Sequence, residues 1–462
     1  MVSYFKSLGP TNISEEDYKI LLIGTHRKYR EKNLNIPSDF EDLRNIDTIP
    51  KLTEVILDEW SNSKNMPNPF HVMINEKIRN HSFFKNRKYV CAAPYTSLRF
   101  DSDGKMTVCC TNTENPIGMY PENTPLEAWN GDIMKDIRKS LNNLDFSKGC
   151  MQCAKYILAG NSYNSVLVNY DNIHTGAFAG EETKHNNIEQ YSNFQWSEWP
   201  SHIIFQHQNT CNYECIMCGG QYSSLIAKNR DGKPFINMYS TEKFIEDIYP
   251  FIGHVKTFEF LGGEPFLISQ YYKIWDIIKK ENPSARVGIV SNGSIYNSRV
   301  ENILKELPNS LVHVSLDAVT PEIYTYIRRN GNIDVVKQNI KKFKSIARLE
   351  SISICPMIQN IRDIPNVIEF CEELDIDIWF NDVQGTLGFM WEDLYETGAI
   401  KRNDGSQIKN VEIEKIKEFR LWKLPKSVLC EHIEFLSNYK TPERYKNRLN
   451  SFINYLKNCV AS

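Results

Sequence analysis

The sequence predicts an α/β fold with a parallel sheet, on three observations. From about residue 200 onward, short apolar runs of strand-like composition alternate with amphipathic helical stretches. Parallel strands need helical crossovers between them, so this alternation is typical of a parallel sheet. A hydrophobic fraction of 41% and an aromatic fraction of 12% indicate a globular protein. With 462 residues, the chain has room for two or three domains.

The elements of this sheet follow one another at regular spacing. The predicted strands are 202–208, 257–261, 286–291, 312–316, 351–357 and 377–382. The predicted helices are 241–249, 268–280, 300–307, 335–346 and 364–374. Functional groups of such folds lie at the carboxyl ends of the strands, so the loops that follow these strands are the candidate site.

Different composition marks the rest of the chain. We expect a helical N-terminal region at 1–85, a small cysteine-rich α+β module at 86–180, a polar linker at 181–198, the α/β domain at 199–400 and a helical C-terminal region at 401–462. The last helix has Thr441 as N-cap and Pro442 in its first turn. One apolar stripe predicts that this helix packs on the body of the protein: Tyr445, Leu449, Phe452, Ile453 and Leu456.

Charge and hydropathy argue against two classes of partner. With 54 basic and 57 acidic residues, the net charge of −3 gives no electrostatic case for binding nucleic acid. No apolar stretch reaches membrane-spanning length, and the N-terminus lacks the apolar core of a signal peptide. We therefore expect a cytoplasmic protein. In that reducing compartment the 12 cysteines would serve as ligands, catalysts or core residues rather than in disulfides.

Three cysteines in one short turn carry the strongest chemical signal. Cys211, Cys215 and Cys218 are spaced C-x3-C-x2-C in the run TCNYECIMCGG. Three thiolates at this spacing suit three corners of a cubane [4Fe–4S] cluster and leave the fourth iron without a protein ligand. An open, redox-active iron can bind a small molecule and pass it an electron. The alternatives are a zinc knuckle and a cluster of redox thiols.

This triad follows the first predicted strand and resembles the signature of the radical S-adenosylmethionine (SAM) superfamily. The resemblance implies that the six strand–helix units form an open, partial (β/α)6 barrel of the TIM type. It also implies that SAM binds the open iron through its amino and carboxylate groups. An electron, from a donor such as flavodoxin or ferredoxin, then splits SAM into methionine and a 5′-deoxyadenosyl radical, which abstracts hydrogen from the substrate.

The second predicted strand ends in LGGEPF. In the resembled family a GGEP turn at this place binds the SAM amino group through backbone carbonyls and sometimes through the Glu. The resemblance therefore implies cofactor-binding roles for Gly262, Gly263, Glu264 and Pro265. Glycine lets the main chain approach a ligand because it has no Cβ. The alternative is a plain strand-to-helix turn.

Polar residues also end the third and fourth predicted strands. The resemblance implies that such residues bind the SAM carboxylate and ribose: Ser291, Asn292, Ser315 and Asp317. The alternative is that they cap the helices that follow, since Ser, Asn and Asp all favour N-caps. Downstream, Arg328 matches an arginine that reaches the SAM carboxylate in the family, and a planar guanidinium suits a carboxylate. Its neighbour Arg329 is interpreted as a surface residue.

A second set of cysteines precedes the barrel. The G-x4-C element at 104–109, the phrase LEAWN and a C-x2-C pair resemble the twitch or SPASM modules, which bind auxiliary [4Fe–4S] clusters. The implied ligands are Cys91, Cys109, Cys150 and Cys153, with Cys110 as the alternative to Cys109. Neighbours on a strand point oppositely, so only one of these two can face a cluster. In most of the family this module follows the barrel, and a zinc site remains the alternative.

Four cysteines lie outside these sets. Cys371, Cys430 and Cys459 are expected to act as small core hydrophobes. Cys355, on the fifth predicted strand, is a candidate hydrogen-atom donor to a substrate radical, as in some epimerases of the superfamily, with a core thiol as the alternative.

Together these features predict a radical SAM enzyme that oxidises or epimerises a small-molecule or sugar-like substrate with the help of an auxiliary cluster. The alternatives are an enzyme that modifies a ribosomal peptide by epimerisation or crosslinking, and a non-enzymatic metal-binding regulator. The mostly helical N-terminal region favours the small molecule, because a leader-peptide-binding domain would combine helices with a three-stranded sheet.

Overall fold

A computed structural model describes most of the chain from residue 90 onward. The described residues are 90–151, 153–154, 198–232, 241–357, 359–381 and 426–461, together with 75, 77–79, 81, 170, 238 and 239. Almost all of the predicted N-terminal region, residues 181–197 of the predicted linker at 181–198 and the side chain of Cys459 lie outside them. The chain divides into two compact units, one of residues 1–97, 107–117 and 128–198 and the other of the remainder.

The larger unit is built on one nine-stranded sheet in the order β3-β2-β1-β4-β5-β6-β7-β8-β9. The strands are β1 (Ser97–Asp101), β2 (Lys105–Thr107), β3 (Gly118–Met119), β4 (His202–Gln206), β5 (Thr257–Phe260), β6 (Arg286–Ser291), β7 (Ser310–Ser315), β8 (Leu349–Ile354) and β9 (Asp377–Phe380). From β4 to β9 each strand pairs in parallel with the next. The described sheet ends at β3 and β9 and is therefore open, which confirms the predicted α/β fold and partial barrel.

Helices follow most of these strands, as the sequence predicts. They are α1 (Ala93–Thr96), α2 (Pro125–Asn130), α3 (Asp132–Asn142), α4 (Ser224–Asn229), α5 (Glu242–Ile252), α6 (Ser269–Glu281), α7 (Ser298–Glu306), α8 (Pro321–Ile327), α9 (Ile333–Ser345), α10 (Ile364–Glu373), α11 (Lys426–Asn438) and α12 (Glu443–Ala461). Side-chain oxygens of Thr241, Asn297 and Asn332 accept hydrogen bonds from first-turn amides of α5, α7 and α9. Such caps satisfy donors that have no partner within a helix.

The two faces of the sheet differ in polarity and burial. In β7 the side chains of Val312 and Val314 are fully buried, while the alternate residues Leu311, His313 and Ser315 are half-buried. Successive strand residues point to opposite faces, so one face forms the core beneath the helices and the other is the barrel interior. Phe205 shows what the core face contains: its ring stacks on that of Phe260 at 5.0 Å.

Strands β1 to β3 extend this sheet beyond β4, which the sequence did not predict. They come from the cysteine-rich segment, and β2 pairs antiparallel with β3. Gly104 turns the chain between β1 and β2 with a φ of +89°, where its amide donates to the Asp101 carbonyl at 3.0 Å. The strands are two to five residues long and their partner β4 is distant in the chain, so periodicity does not reveal them.

The last helix, α12, covers the outer edge of β9. The predicted stripe of Tyr445, Leu449, Phe452, Ile453 and Leu456 is buried, which confirms that this helix packs on the body. The Phe452 ring stacks on that of Phe380 at 5.5 Å, and the Tyr445 hydroxyl donates to the Ile376 carbonyl at 2.8 Å. Arg448 donates to the Ile378 carbonyl. The helix thereby occupies an edge that would otherwise offer unpaired backbone groups to another strand.

Cys430 corrects one prediction. It lies on α11 and is exposed, whereas we expected a core residue. The buried face of α11 carries Leu429, His432 and Leu436, and Cys430 is one position away from that face. Cys371 is fully buried, as expected.

The smaller unit has its own core around Trp129. The Arg138 guanidinium lies 5.0 Å from the Trp129 ring centroid and donates to the Pro94 carbonyl at 2.7 Å. The Tyr95 hydroxyl donates to Asn142 Oδ1 at 3.0 Å. These contacts fix α1 against α3.

No helix among the described residues is long and apolar enough to cross a membrane.

Candidate functional site

The cysteine triad lies in the loop that leaves the carboxyl end of β4. The amide of Cys218 donates to the carbonyl of Cys215 at 3.1 Å, which closes a tight turn. Two further backbone bonds hold this loop against the end of α8: Ile216 N–H to Ile327 C=O at 2.9 Å, and Glu214 N–H to Arg329 C=O at 3.2 Å. Residues that are far apart in sequence therefore set the shape of the loop.

The three thiols of the triad are close enough to influence one another electrostatically. Burial, with smaller contributions from the neighbouring Cys215 and Cys211, raises the pKa of Cys218 to about 12. Burial likewise raises the pKa of Cys211 to about 12. Thiols in this setting stay protonated until a metal displaces the protons. Three adjacent thiols, one buried and two half-buried, fit the donor set of a cluster with one open iron.

The two glycines of the GGEP turn allow its backbone to lie close to the chain that leads into the triad loop. Gly262 and Gly263 have φ values of +74° and +51°. A Cβ on Gly262 would lie 2.6 Å from the Gln208 carbonyl oxygen, and one on Gly263 would lie 2.1 Å from the Thr210 carbonyl oxygen. Both conditions favour glycine. The glycines are thus explained by contact with the chain that leads into Cys211.

Glu264 ties three strand ends together. Its amide donates to the Thr210 carbonyl at 2.7 Å, in the loop after β4. Its fully buried carboxylate accepts from Phe266 N–H at 3.2 Å, Ser291 Oγ at 2.8 Å and Asn292 N–H at 2.7 Å, the last two at the end of β6. Burial raises the pKa of Glu264 to about 7, against the opposing effect of the Asn292 amide. Glu264 also caps the short 3-10 turn Pro265–Leu267, so the segment forms a strand-to-helix turn, and its role toward SAM stays a prediction.

The alternative that polar strand-end residues are N-caps is wrong. Helix α7 is capped by Asn297 rather than by Ser291 or Asn292, and the position before α8 is Thr320 rather than Ser315 or Asp317. The loops between strand and helix are longer than the sequence suggested. Asn292 instead donates from Nδ2 to Asn212 Oδ1 at 2.9 Å, which links β6 to the triad loop.

Arg328 and Asp317 form a buried ion pair beside the triad. Arg328 Nη2 lies 2.7 Å from Asp317 Oδ2, and Arg328 Nη1 lies 4.0 Å from Cys215 Sγ. Arg328 is 6% exposed and Asp317 1%. The adjacent Arg329 is exposed, as predicted. The structure therefore brings together two residues whose pairing the sequence did not predict.

Cys355 lies one residue beyond β8, not on the strand as predicted, because β8 ends at Ile354. Its amide donates to Asp317 Oδ1 at 2.7 Å. Its half-buried side chain packs with Ile216 and Met357, next to the triad loop. Ser315 is half-buried, with its Oγ 3.4 Å from Ser353 Oγ on the barrel-interior face.

Three of the predicted auxiliary cysteines lie together in the smaller unit. Burial raises the pKa of Cys150 well above its ordinary value, and nearby Cys109 and Cys153 add to the rise. Thr111 Oγ1 lies 3.3 Å from Cys109 Sγ and 3.8 Å from Cys153 Sγ. Cys109 is buried whereas Cys110 is only half-buried. Both lie beyond β2, which ends at Thr107, so the alternation expected for strand neighbours does not apply to them.

The fourth predicted ligand, Cys91, precedes α1. Burial is the largest cause of the raised pKa of Tyr95, and the charge of Cys91 adds to it. Within the described ranges, no group of three or more His, Cys, Asp or Glu side chains is arranged to hold a single metal ion. The zinc alternative stays a prediction.

Sequence reasoning missed the residues that support both sets of cysteines. Asn112 Nδ2 donates to the Lys148 carbonyl at 2.9 Å and lies 3.6 Å from Cys150 Sγ. Arg230 donates to the carbonyl of Cys218. Thr111 and Asn112 directly follow Cys110, so polar residues adjacent to a ligand motif are the signal that would have identified them.

Two family models match the chain. The model of the radical SAM superfamily matches residues 205–371, and that of the SPASM iron–sulfur cluster-binding domain matches residues 91–154. The first range contains the triad, and the second contains the four predicted auxiliary ligands. The iron–sulfur module therefore precedes the barrel in this chain.

Curated relatives share part of this length. A probable GTP 3′,8-cyclase of Methanocaldococcus jannaschii is 29% identical over 170 residues, which are 36% of this chain and 53% of that protein. The GTP 3′,8-cyclase of Limosilactobacillus fermentum is 24% identical over 194 residues, or 40% of this chain and 55% of that protein. The chain thus spans about half the length of these relatives.

The solved structures that resemble part of this chain include the following two. One is anSMEcpe with bound AdoMet, with a TM-score of 0.34 and 19% identity over 43% of this chain and 59% of that one. Another is Streptococcus suis SuiB bound to precursor peptide SuiA, with a TM-score of 0.36 and 14% identity over 62% of each chain.

The triad and the GGEP turn lie within the matched range, at the carboxyl ends of adjacent parallel strands, and a cysteine-rich module with its own family match precedes them. The chain therefore carries a radical SAM domain at residues 205–371 and, ahead of it, an iron–sulfur cluster-binding domain of the SPASM type at residues 91–154.

Proposed function

We propose that this protein is a radical SAM enzyme that holds a [4Fe–4S] cluster on Cys211, Cys215 and Cys218 and binds SAM at the adjacent strand ends. One observation carries the proposal. The triad loop, the GGEP turn and the end of β6 are joined by hydrogen bonds to Glu264, whose carboxylate is fully buried. This arrangement fixes the cysteines at the carboxyl edge of the parallel sheet, where barrel folds place their chemistry.

A cluster held by these cysteines, once reduced by an external donor, would supply the electron for the reductive cleavage of SAM to methionine and a 5′-deoxyadenosyl radical. The protein's part is to hold, orient and shield the reactants. Glu264 contributes by fixing the turn, since Phe266, Ser291 and Asn292 already occupy its carboxylate. This leaves the backbone of Gly262, Gly263 and Pro265 to bind the amino group of SAM. Ser315, half-buried on the interior face, is the proposed contact to its ribose or carboxylate.

We assign the auxiliary cluster to Cys91, Cys109, Cys150 and Cys153. Two observations support this assignment. Cys109 and Cys153 both raise the pKa of Cys150, and the Thr111 hydroxyl lies close to the Sγ atoms of Cys109 and Cys153. An auxiliary cluster would accept the electron left after hydrogen abstraction, so the net reaction would be an oxidation. Without such transfer the outcome would be epimerisation, with Cys355 as the proposed hydrogen donor.

The choice between adjacent cysteines gives a direct prediction. Cys109→Ala lowers the iron content of the reconstituted protein, because the buried Cys109 thiol faces Thr111, Cys150 and Cys153. Cys110→Ala, the matched control, leaves the iron content unchanged. Iron and sulfide per chain would be measured after anaerobic reconstitution. The reverse pattern would assign Cys110 as the ligand.

We propose a small-molecule substrate on the evidence of the relatives rather than of the barrel interior. Glu350 pairs with Arg286 and with His313 Nε2, at 2.8 and 2.7 Å, on the interior side of β6 to β8. Glu259, 28% exposed at its side chain, lies 3.5 Å from His202. These charged groups lie toward the amino ends of the strands and are paired with one another, so they do not indicate what the site at the carboxyl ends binds. The relatives named GTP 3′,8-cyclase support a small molecule. A peptide substrate is the alternative.

The assay that tests the proposal is reductive cleavage of SAM. Anaerobically reconstituted protein is incubated with SAM and dithionite, and 5′-deoxyadenosine is measured by chromatography. We expect its formation at catalytic or single-turnover levels, since some cleavage proceeds without substrate. No 5′-deoxyadenosine from protein that holds a full iron complement would support the non-enzymatic alternative.

A further inference from the structure

We propose that the Arg328–Asp317 ion pair tunes the reduction potential of the cluster on the cysteine triad. Arg328 raises the potential through its contact with Cys215, and Asp317 offsets part of that effect. This inference rests on the proposed function, because it needs a cluster at the triad. It gives Arg328 a role toward the cluster in place of the SAM carboxylate that the resemblance implied.

The position of the guanidinium supports this role. Arg328 Nη1 lies 4.0 Å from Cys215 Sγ, and only 6% of the residue is exposed. Its backbone is fixed as well, since its amide donates to the Tyr324 carbonyl at 2.7 Å and its carbonyl accepts from Gly331 N–H at 2.9 Å. The charge therefore lies beside a proposed cluster ligand and has little water around it.

Asp317 holds the guanidinium in that place. Its Oδ2 lies 2.7 Å from Arg328 Nη2, and its Oδ1 accepts from Cys355 N–H at 2.7 Å. Asn360 Nδ2 donates to the Asp317 carbonyl at 2.9 Å. Asp317 also has a φ of +66°, a region that few residues other than glycine adopt and that asparagine tolerates best. With both carboxylate oxygens engaged and a rare backbone conformation, Asp317 acts as a fixed counter-ion.

Electrostatics gives the sign of each effect. Reduction adds an electron to the cluster, and a nearby positive charge stabilises the reduced form and so raises the potential. A nearby negative charge does the opposite. Screening by salt is weak for buried charges, so neither effect is lost at physiological ionic strength. Groups around the ligands are an established means of tuning a metal centre.

The test uses variants that remove one charge at a time. Arg328→Gln should shift the midpoint potential to a more negative value, and Asp317→Asn should shift it to a more positive one. Arg328→Lys keeps the charge and should stay near the wild-type value. Arg329→Gln, at the adjacent exposed position, is the matched control and should not change the potential.

The potential is measured by EPR-monitored redox titration of the reconstituted full-length protein without SAM. The signal assigned to the triad is the one that Cys211→Ala removes. Leaving out SAM separates the two roles of Arg328, because a residue that only binds the SAM carboxylate would not shift the potential of the SAM-free cluster.

Opposite shifts in the Arg328 and Asp317 variants would support the proposal. Unchanged potentials, or shifts of the same sign, would overturn it, since general loosening of the site has no reason to act in opposite directions. If Arg328→Gln fails to retain a cluster, the direction of the shift in Asp317→Asn decides. A wild-type protein whose iron content does not depend on the triad would instead refute the proposed function.

Discussion

Replacing Cys211, Cys215 and Cys218 together by alanine is expected to abolish 5′-deoxyadenosine formation and to remove about four iron atoms per chain. The three thiols lie in one loop and influence one another's pKa, so we expect them to act as a single donor set. The auxiliary cysteines belong to a separate compact unit and should keep their own iron. The measurements are iron content, sulfide content and product chromatography under dithionite.

Cys430→Ala is the control for this experiment, because Cys430 is exposed on α11 and belongs to neither set of cysteines. It should retain the full iron content and the wild-type amount of 5′-deoxyadenosine. Iron content that stays the same in the triple variant would show that the triad holds no cluster.

Gly263→Ala should disrupt the same site without changing any proposed cluster ligand. The added Cβ would lie 2.1 Å from the Thr210 carbonyl oxygen, at a φ of +51°. The backbone must move to relieve that contact, and Thr210 is adjacent to Cys211. Overpacking and a left-handed conformation together should lower the free energy of unfolding by about 2–4 kcal/mol. Iron bound at the triad should fall as well.

Gly253→Ala is the matched control. Gly253 ends α5 in a right-handed conformation with a φ of −67°, and a Cβ there would meet nothing within 4 Å. It should be neutral or slightly stabilising, because alanine restricts the unfolded chain. Urea denaturation of the metal-free proteins measures the first effect, and iron analysis after reconstitution measures the second. Wild-type stability in Gly263→Ala would contradict the close approach of the two loops.

Local pattern predicted the central sheet well. Strands such as β6 are apolar runs bounded by turn residues, and the predicted range 286–291 coincides with the observed one. The triad was recognisable because its three ligands lie within eight residues. Strands and ligand motifs that depend on residues close together in the chain can therefore be predicted from the sequence.

Features that depend on distant pairing were not predictable in the same way. β1 pairs next to β4 although about a hundred residues separate them in the chain, and such pairing leaves no periodic trace. The Arg328–Asp317 pair likewise depends on how α8 lies against the end of β7. Asp317 and Ser291 were polar residues near helix starts, and only the length of the loops shows that they are not caps.

The hydrogen bonds around the triad loop also constrain how the protein acquires its metal. Its ligand geometry depends on Glu264, on the end of β6 and on the segment that ends α8. All of these segments are synthesised after the cysteines, so a nascent chain exposes the three thiols before the supports that shape them exist. Stable loading of the cluster would then follow the pairing of β4 to β7. We therefore expect stable iron retention at the triad to require the completed barrel.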